Sequence, residues 1–85
     1  MNIYVEDLEM AIRTIRLHKY ELTSEIAARV AKSAKTMGLL LSECRQRGLI
    51  TSREGSKGYF EHIVQYPGRQ FLEWMDHGRA AGHLP

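Results

Sequence analysis

Apolar residues recur at helical spacing through the first half of this chain and then change to strand-like alternation. Val5, Leu8, Ile12 and Ile15 fall on one face of a helix expected over about 5–18. Asp7 and Glu9 near its start, and Arg16, His18 and Lys19 near its end, match the partial charges of the helix termini. Ile3, Met10 and Leu17 recur in heptad spacing on the opposite side. That second stripe must be covered either by the C-terminal part of the chain or by a second copy of it. Tyr20-Glu21-Leu22 reads as a short extended link or a first strand. Ile26, Ala27 and Val30 then mark a second helix, and Met37, Leu40, Leu41 and Cys44 a third. Thr23 or Ser24 can cap the second helix and Ser33 the third, by accepting a hydrogen bond from an unpaired amide of the first turn. Gly48 stops the third helix near Arg47 by supplying a left-handed residue.

After Gly48 the period changes to two. Leu49-Ile50 opens a strand and Gly55-Ser56-Lys57-Gly58 folds it back. The return strand alternates Phe60, His62, Val64 and Tyr66 on one face with Glu61, Ile63 and Gln65 on the other. Neither face is purely polar, as suits a strand half covered on both sides. Pro67-Gly68 breaks it. A last helix over about 69–77 carries Phe71, Trp74 and Met75 on one stripe, with Leu72 beside it. Gly78 stops that helix, and 79–85 form a flexible tail. The expected class is α+β: a three-helix core, a β-hairpin over about 49–66 and an additional C-terminal helix, in one domain over 1–78.

At 85 residues, 44% hydrophobic and 26% charged, the chain suits one folded domain with a modest core. No apolar run approaches the ~20 residues of a membrane-spanning helix. Glu6, Asp7 and Glu9 interrupt any signal-peptide pattern. The single cysteine excludes an internal disulfide and suits a reducing, cytoplasmic setting. Charge is unevenly placed. Residues 29–57 hold seven basic side chains (Arg29, Lys32, Lys35, Arg45, Arg47, Arg53, Lys57) against Glu43 and Glu54, a net +5. Residues 1–28 carry −2 and residues 58–85 carry −1, so the overall +2 hides a basic middle. A phosphate-binding surface needs such a local excess, although a charge run is also what a solvated face looks like.

Three short runs carry a family resemblance. Thr23-Ser24-Glu25-Ile26-Ala27 has a small residue at Ala27 where a second helix could cross closely, Met37 and Leu40 supply the apolar positions of that second helix, and Gly48-Leu49-Ile50-Thr51 leads into the hairpin. Together they resemble the winged helix-turn-helix domains of small prokaryotic and phage transcriptional regulators, with the helix-turn-helix over about 23–47 and the hairpin as its wing. The resemblance covers roughly half the chain, from 23 to about 66. Two features depart from it. The turn between the helices commonly carries glycine followed by an apolar residue, and here Ala31 and Lys32 stand there. Gly38 lies inside the third helix, where it costs about 1 kcal/mol relative to alanine; it would permit close approach of another backbone or of DNA.

With Met37, Leu40, Leu41 and Cys44 turned inward, Lys35, Leu39, Ser42 and Gln46 project outward, flanked by Thr36 and Glu43. The resemblance implies that the start of this helix enters the major groove, which makes Lys32, Ser33, Lys35, Thr36 and Leu39 contact candidates. Lys35 can reach a phosphate or a guanine edge, and Thr36 or Leu39 a thymine methyl. Arg53 and Lys57 on the wing would meet the backbone or minor groove, and Ser24 a phosphate. Leu39 equally suits packing on the wing or seating a protein partner.

The implied function is a double-stranded-DNA-binding transcriptional regulator of bacterial or phage kind. A domain this size makes few base contacts, each worth about 1–3 kcal/mol. A homodimer is therefore expected, through Ile3, Met10 and Leu17 or through Phe71, Trp74 and Met75. No separate ligand-binding domain fits beside it in 85 residues. Two alternatives stay open: a winged-helix protein-interaction module that binds no DNA, and a DNA-binding accessory without sequence preference. Catalysis, a metal and a cofactor are not expected. Cys44 lies on the core stripe, and His18, His62, His77 and His83 form no close pair. No glycine-rich phosphate loop follows a strand, and no nucleophile has a recognisable motif around it.

Overall fold

Helix α1, Val5–Leu17, buries Leu8, Ala11, Ile12 and Ile15 as one stripe, with Glu6 and Asp7 in its first turn and Arg16 in its last. The computed structural model describes residues 3–18, 22–55 and 59–84, so Tyr20 and Glu21 of the expected link and Lys57 at the hairpin tip lie outside the described residues. The heptad stripe divides: Ile3 and Met10 pack against the core of this chain, whereas Leu17 is 79% exposed.

Helix α2 is Thr23–Arg29, and its cap differs from the expectation. Leu22 is the N-cap, and its amide donates to the Glu25 carboxylate at 3.0 Å. Thr23 and Ser24 therefore lie inside the first turn and cap nothing; a glutamate reaching back satisfies the amide instead. Ile26 and Ala27 are buried. The helix closes with the Ala31 amide donating to the Ala28 carbonyl at 3.4 Å and the Lys32 amide to the Ala27 carbonyl at 3.0 Å. That closure places Ala31 at φ 56°, the left-handed conformation usually left to glycine. The turn keeps the geometry of a glycine turn without the glycine.

Helix α3, Ala34–Gln46, starts as expected: Ser33 Oγ accepts from the Thr36 amide at 3.0 Å. Met37, Leu40, Leu41 and Cys44 are buried. It ends in the same closure as α2, here with Gly48 at φ 72°, the Gly48 amide on the Arg45 carbonyl and the Leu49 amide on that of Cys44. Burial pushes the Cys44 thiol up to about 11, so it stays protonated and acts as a small apolar filler.

Strands β1 (Ile50–Glu54) and β2 (Phe60–Val64) pair antiparallel, from Ile50 opposite Val64 to Glu54 opposite Phe60. Ile50 and His62 are buried on the face toward the helices, while Thr51 and Arg53 are exposed.

Helix α4 is longer than expected at both ends, Tyr66–Ala80. Tyr66 belongs to the helix and not to the return strand. Pro67 and Gly68 occupy its first turn, where a missing amide hydrogen loses no hydrogen bond. Gly68 is there for space: a Cβ on it would lie 2.3 Å from the Leu49 carbonyl oxygen and 2.9 Å from Val64 Cγ1. Gly78 does not stop the helix. The stop comes at Gly82, φ 77°, whose amide donates to the Arg79 carbonyl. The buried stripe is Gly68, Leu72 and Met75. Trp74, expected on it, is 60% exposed and stacks with half-buried Phe71.

Arg79, expected in a flexible tail, instead ties α4 to α1. It donates to the Glu9 carboxylate, which is only 4% exposed and also accepts from Arg13 at 3.0 Å. Arg13 in turn reaches Asp76 at 2.7 Å. The Arg79 hydrogen bonds hold the Glu9 carboxyl below its usual range against the opposing effect of burial. Glu9 is thus a buried charge balanced by two arginines. The core gathers α1, α2, α3, the strand base Leu49-Ile50 and Leu72 of α4: a three-helix core, a hairpin and a fourth helix.

Candidate nucleic-acid interface

The outward side of α3 is set by what its inward side buries. Lys35, Leu39 and Gln46 are exposed and Thr36 and Glu43 half-buried, as the helical period suggests, while Ser42, expected to project outward, is half-buried as well. Ser33, as N-cap, is held by Thr36 twice: its Oγ accepts from the Thr36 amide and donates to Thr36 Oγ1 at 2.9 Å. The first turn of α3 is therefore a rigid platform. Thr36 can offer its methyl, since its hydroxyl is engaged. Ser24 is exposed on the first turn of α2. Leu39 is 44% exposed, beside Lys35 one turn earlier on the same face.

The basic segment is less free than its net charge suggests. Lys32 lies 3.9 Å from Asp7, Arg47 Nε 2.8 Å from Glu43, and Arg53 is gripped by Glu61 at 2.9 and 2.7 Å. Arg53 also points away from α3, because its neighbour Ser52 faces the helix side and successive strand residues alternate. Among the described residues, Lys35 and Arg45 have no ion-pair partner, and Lys57 lies outside them. The exposed pairs are weak, roughly 0–1 kcal/mol each, so a phosphate can compete for their cations.

Ser24, Lys32, Ser33, Lys35, Thr36 and Leu39 thus cluster around the helix-turn-helix, whereas Arg53 sits apart on the outer face of the hairpin. One group escaped the sequence reading. Arg45, in the last turn of α3, donates to Ser52 Oγ at 3.3 Å, and Ser52 Oγ is 2.7 Å from His62 Nδ1. The alternation on β2 already put His62 on one face with Val64; which face was buried depended on where α3 and α1 packed.

No protein-family profile matches the chain, and no curated protein does. Solved structures do. YusO from Bacillus subtilis superposes with a TM-score of 0.77 at 21% identity, over 88% of this chain and 55% of that one. A point mutant of S. aureus MepR bound to an oligodeoxyribonucleotide gives 0.70 at 13%, over 88% and 60%. A candidate transcriptional regulator from Pseudomonas aeruginosa PA01 gives 0.66 at 22%, over 94% and 62%. The chain thus spans a little over half the length of these proteins. With its helices and two-stranded hairpin superposing on these structures, the chain is by its fold a winged helix-turn-helix domain.

Proposed function

We propose that this domain is a DNA-binding transcriptional regulator that lays the first turns of α3 in the major groove. The observation that carries the reading is the Ser33-capped start of α3, a fixed platform presenting an ion-pair-free Lys35 beside Leu39 and the Thr36 methyl. The MepR structure, bound to an oligodeoxyribonucleotide, supports a duplex as partner for a chain of this fold. Lys35 would meet a guanine edge or phosphate, Thr36 and Leu39 thymine methyls, and Ser24, Lys32 and Ser33 the backbone. On the wing, Arg53 would leave Glu61 for a phosphate, and Lys57 is the second candidate there. The setting is the cytoplasm of a bacterium or a phage-infected cell. A homodimer would use the apolar surface that this chain leaves open, Leu17 on α1 and Trp74 on α4; Ile3, Met10 and Phe71 are partly buried against the core and Met75 fully buried within the chain. A domain drawn past the expected limit of 78 would take in Arg79, whose ion pair with Glu9 joins α4 to α1.

A second reading has its own observation. Leu39 and Trp74 are large, apolar and exposed, as a protein-interaction module would require. An amide-resolved titration of the isotope-labelled protein with a random duplex of about 20 base pairs at low salt separates the two. Shifts should gather at Ser24, at Lys32 to Leu39 and on the wing, and should reverse as salt rises. Lys35→Ala should weaken binding and reduce the salt slope by about 1. A spectrum that does not move sinks the DNA reading in favour of a protein partner.

A further inference from the structure

The wing is not packed against α3 as the helices are packed against each other. Between them lies an open cleft of about 280 Å³ lined by Thr23, Gly38, Leu41, Arg45, Ser52, Phe60 and His62. Gly38 borders open space there, since a Cβ on it would meet nothing within 4 Å. Across this gap runs the polar chain already described: Arg45 on α3 donates to Ser52 on β1, which shares a hydrogen bond with His62 on β2. His62 is 4% exposed, and its Nε2 has no hydrogen-bond partner among the described residues. A buried imidazole tied at one nitrogen is stabilised mainly through that one bond.

We propose that Arg45, Ser52 and His62 are positioning residues, a joint that sets the angle of the wing against the recognition helix and thereby the affinity for duplex DNA. The inference rests on the DNA-binding reading for its second half only. In the neutral ring the Ser52 hydroxyl can accept from Arg45 and donate to Nδ1, giving a directed chain. Protonation makes Nδ1 a donor, so that the hydroxyl must accept from two cationic groups at once and the directed chain is weakened by their mutual repulsion.

Among the described residues, no acid is hydrogen-bonded to His62. Burial, with the Arg45 charge second, holds His62 below its usual value. On β1 the only acid sharing the face of His62 is Glu54, which is exposed at the outer end of the strand. Arg53 and Glu61 pair on the opposite face. The charged side chains of α1 are engaged elsewhere or turned out: Asp7 faces Lys32, Glu9 and Arg13 face α4, and Glu6 and Arg16 are exposed. The sign follows. A base whose folded value is depressed contributes its full stability above the unfolded value near 6.5, and loses it as pH falls toward the folded value.

The test compares wild type, Ser52→Ala and His62→Gln by duplex affinity between about pH 7.5 and 5.5, together with the amide spectra of α3 and both strands. Ser52→Ala changes no charge, so it should shift amides on both sides of the cleft and weaken binding about three- to tenfold with the salt slope unchanged. Wild type should lose affinity toward acid more steeply than His62→Gln. A Ser52→Ala protein with wild-type wing amides and affinity overturns the joint, as does a His62→Gln pH profile that matches wild type. If wild type binds no duplex while Ser52→Ala still shifts both sides of the cleft, the joint stands and the DNA reading falls. Should His62→Gln fail to fold by circular dichroism, Ser52→Ala and the wild-type pH titration of the wing amides decide alone.

Discussion

Two helix glycines face the same hairpin and meet opposite surroundings. At the hairpin base, a Cβ on Gly68 would press on the Leu49 carbonyl oxygen at 2.3 Å, an atom that also accepts from the Gln65 amide at 2.9 Å. On the hairpin flank, a Cβ on Gly38 would enter open space beside the cleft. The base is therefore fixed by backbone against backbone, which cannot yield. The flank is bridged by side chains, which can. The proposed joint needs both, a hairpin that stays attached and a wing bridged by a few polar contacts.

The comparison can be broken at three positions. Gly68→Ala should have the largest effect, a loss of about 3 kcal/mol, since overpacking against backbone has no flexible neighbour to move. Denaturant unfolding would show it, and near wild-type stability would mean that the base is not rigid. Gly38→Ala should do the reverse, stabilising by up to about 1 kcal/mol through helix propensity alone. If that variant is more stable yet binds duplex less well, Gly38 serves the interface; if both are unchanged, the cleft tolerates filling. Ala31→Gly isolates the backbone contribution. It relieves a left-handed alanine and should stabilise by roughly 0.5–1 kcal/mol after the greater flexibility of unfolded glycine is counted. A loss of stability there would mean that the turn gains something from the alanine methyl.

Much of the fold could be read from local pattern. The stripes of α1, α2 and α3, the Ser33 cap and the Gly48 stop all follow from spacing and terminus chemistry, which act within a turn or two. The misreadings cluster in α4. Tyr66-Pro67-Gly68 looks locally like the end of a strand and a break, yet the same three residues start a helix, because Gly68 lets that helix pass over the Leu49 carbonyl. Trp74 shares the period of Met75 and Phe71 but falls on the solvent side, since the buried stripe is anchored by Gly68, a residue with no hydrophobic signal. The candidate contacts on α3 were legible for the same reason as the helix. The paired state of Lys32 and Arg53 was not, because Asp7 reaches Lys32 through the fold and Glu61 reaches Arg53 across the hairpin; the pair of Glu43 and Arg47, one helical turn apart, was within reach of local spacing.

By itself, then, the sequence determined the three-helix core, the hairpin and the face that α3 turns outward, all consequences of periodicity and of backbone groups that must be capped nearby. Tertiary structure alone decided that Glu9 would be buried under Arg79, 70 residues away, that Arg53 would be tied up by Glu61, and that Arg45, Ser52 and His62 would meet across a gap. Those outcomes depend on which surfaces come together at a distance, and no local spacing encodes a meeting between charges or hydroxyls that only packing brings within hydrogen-bond reach.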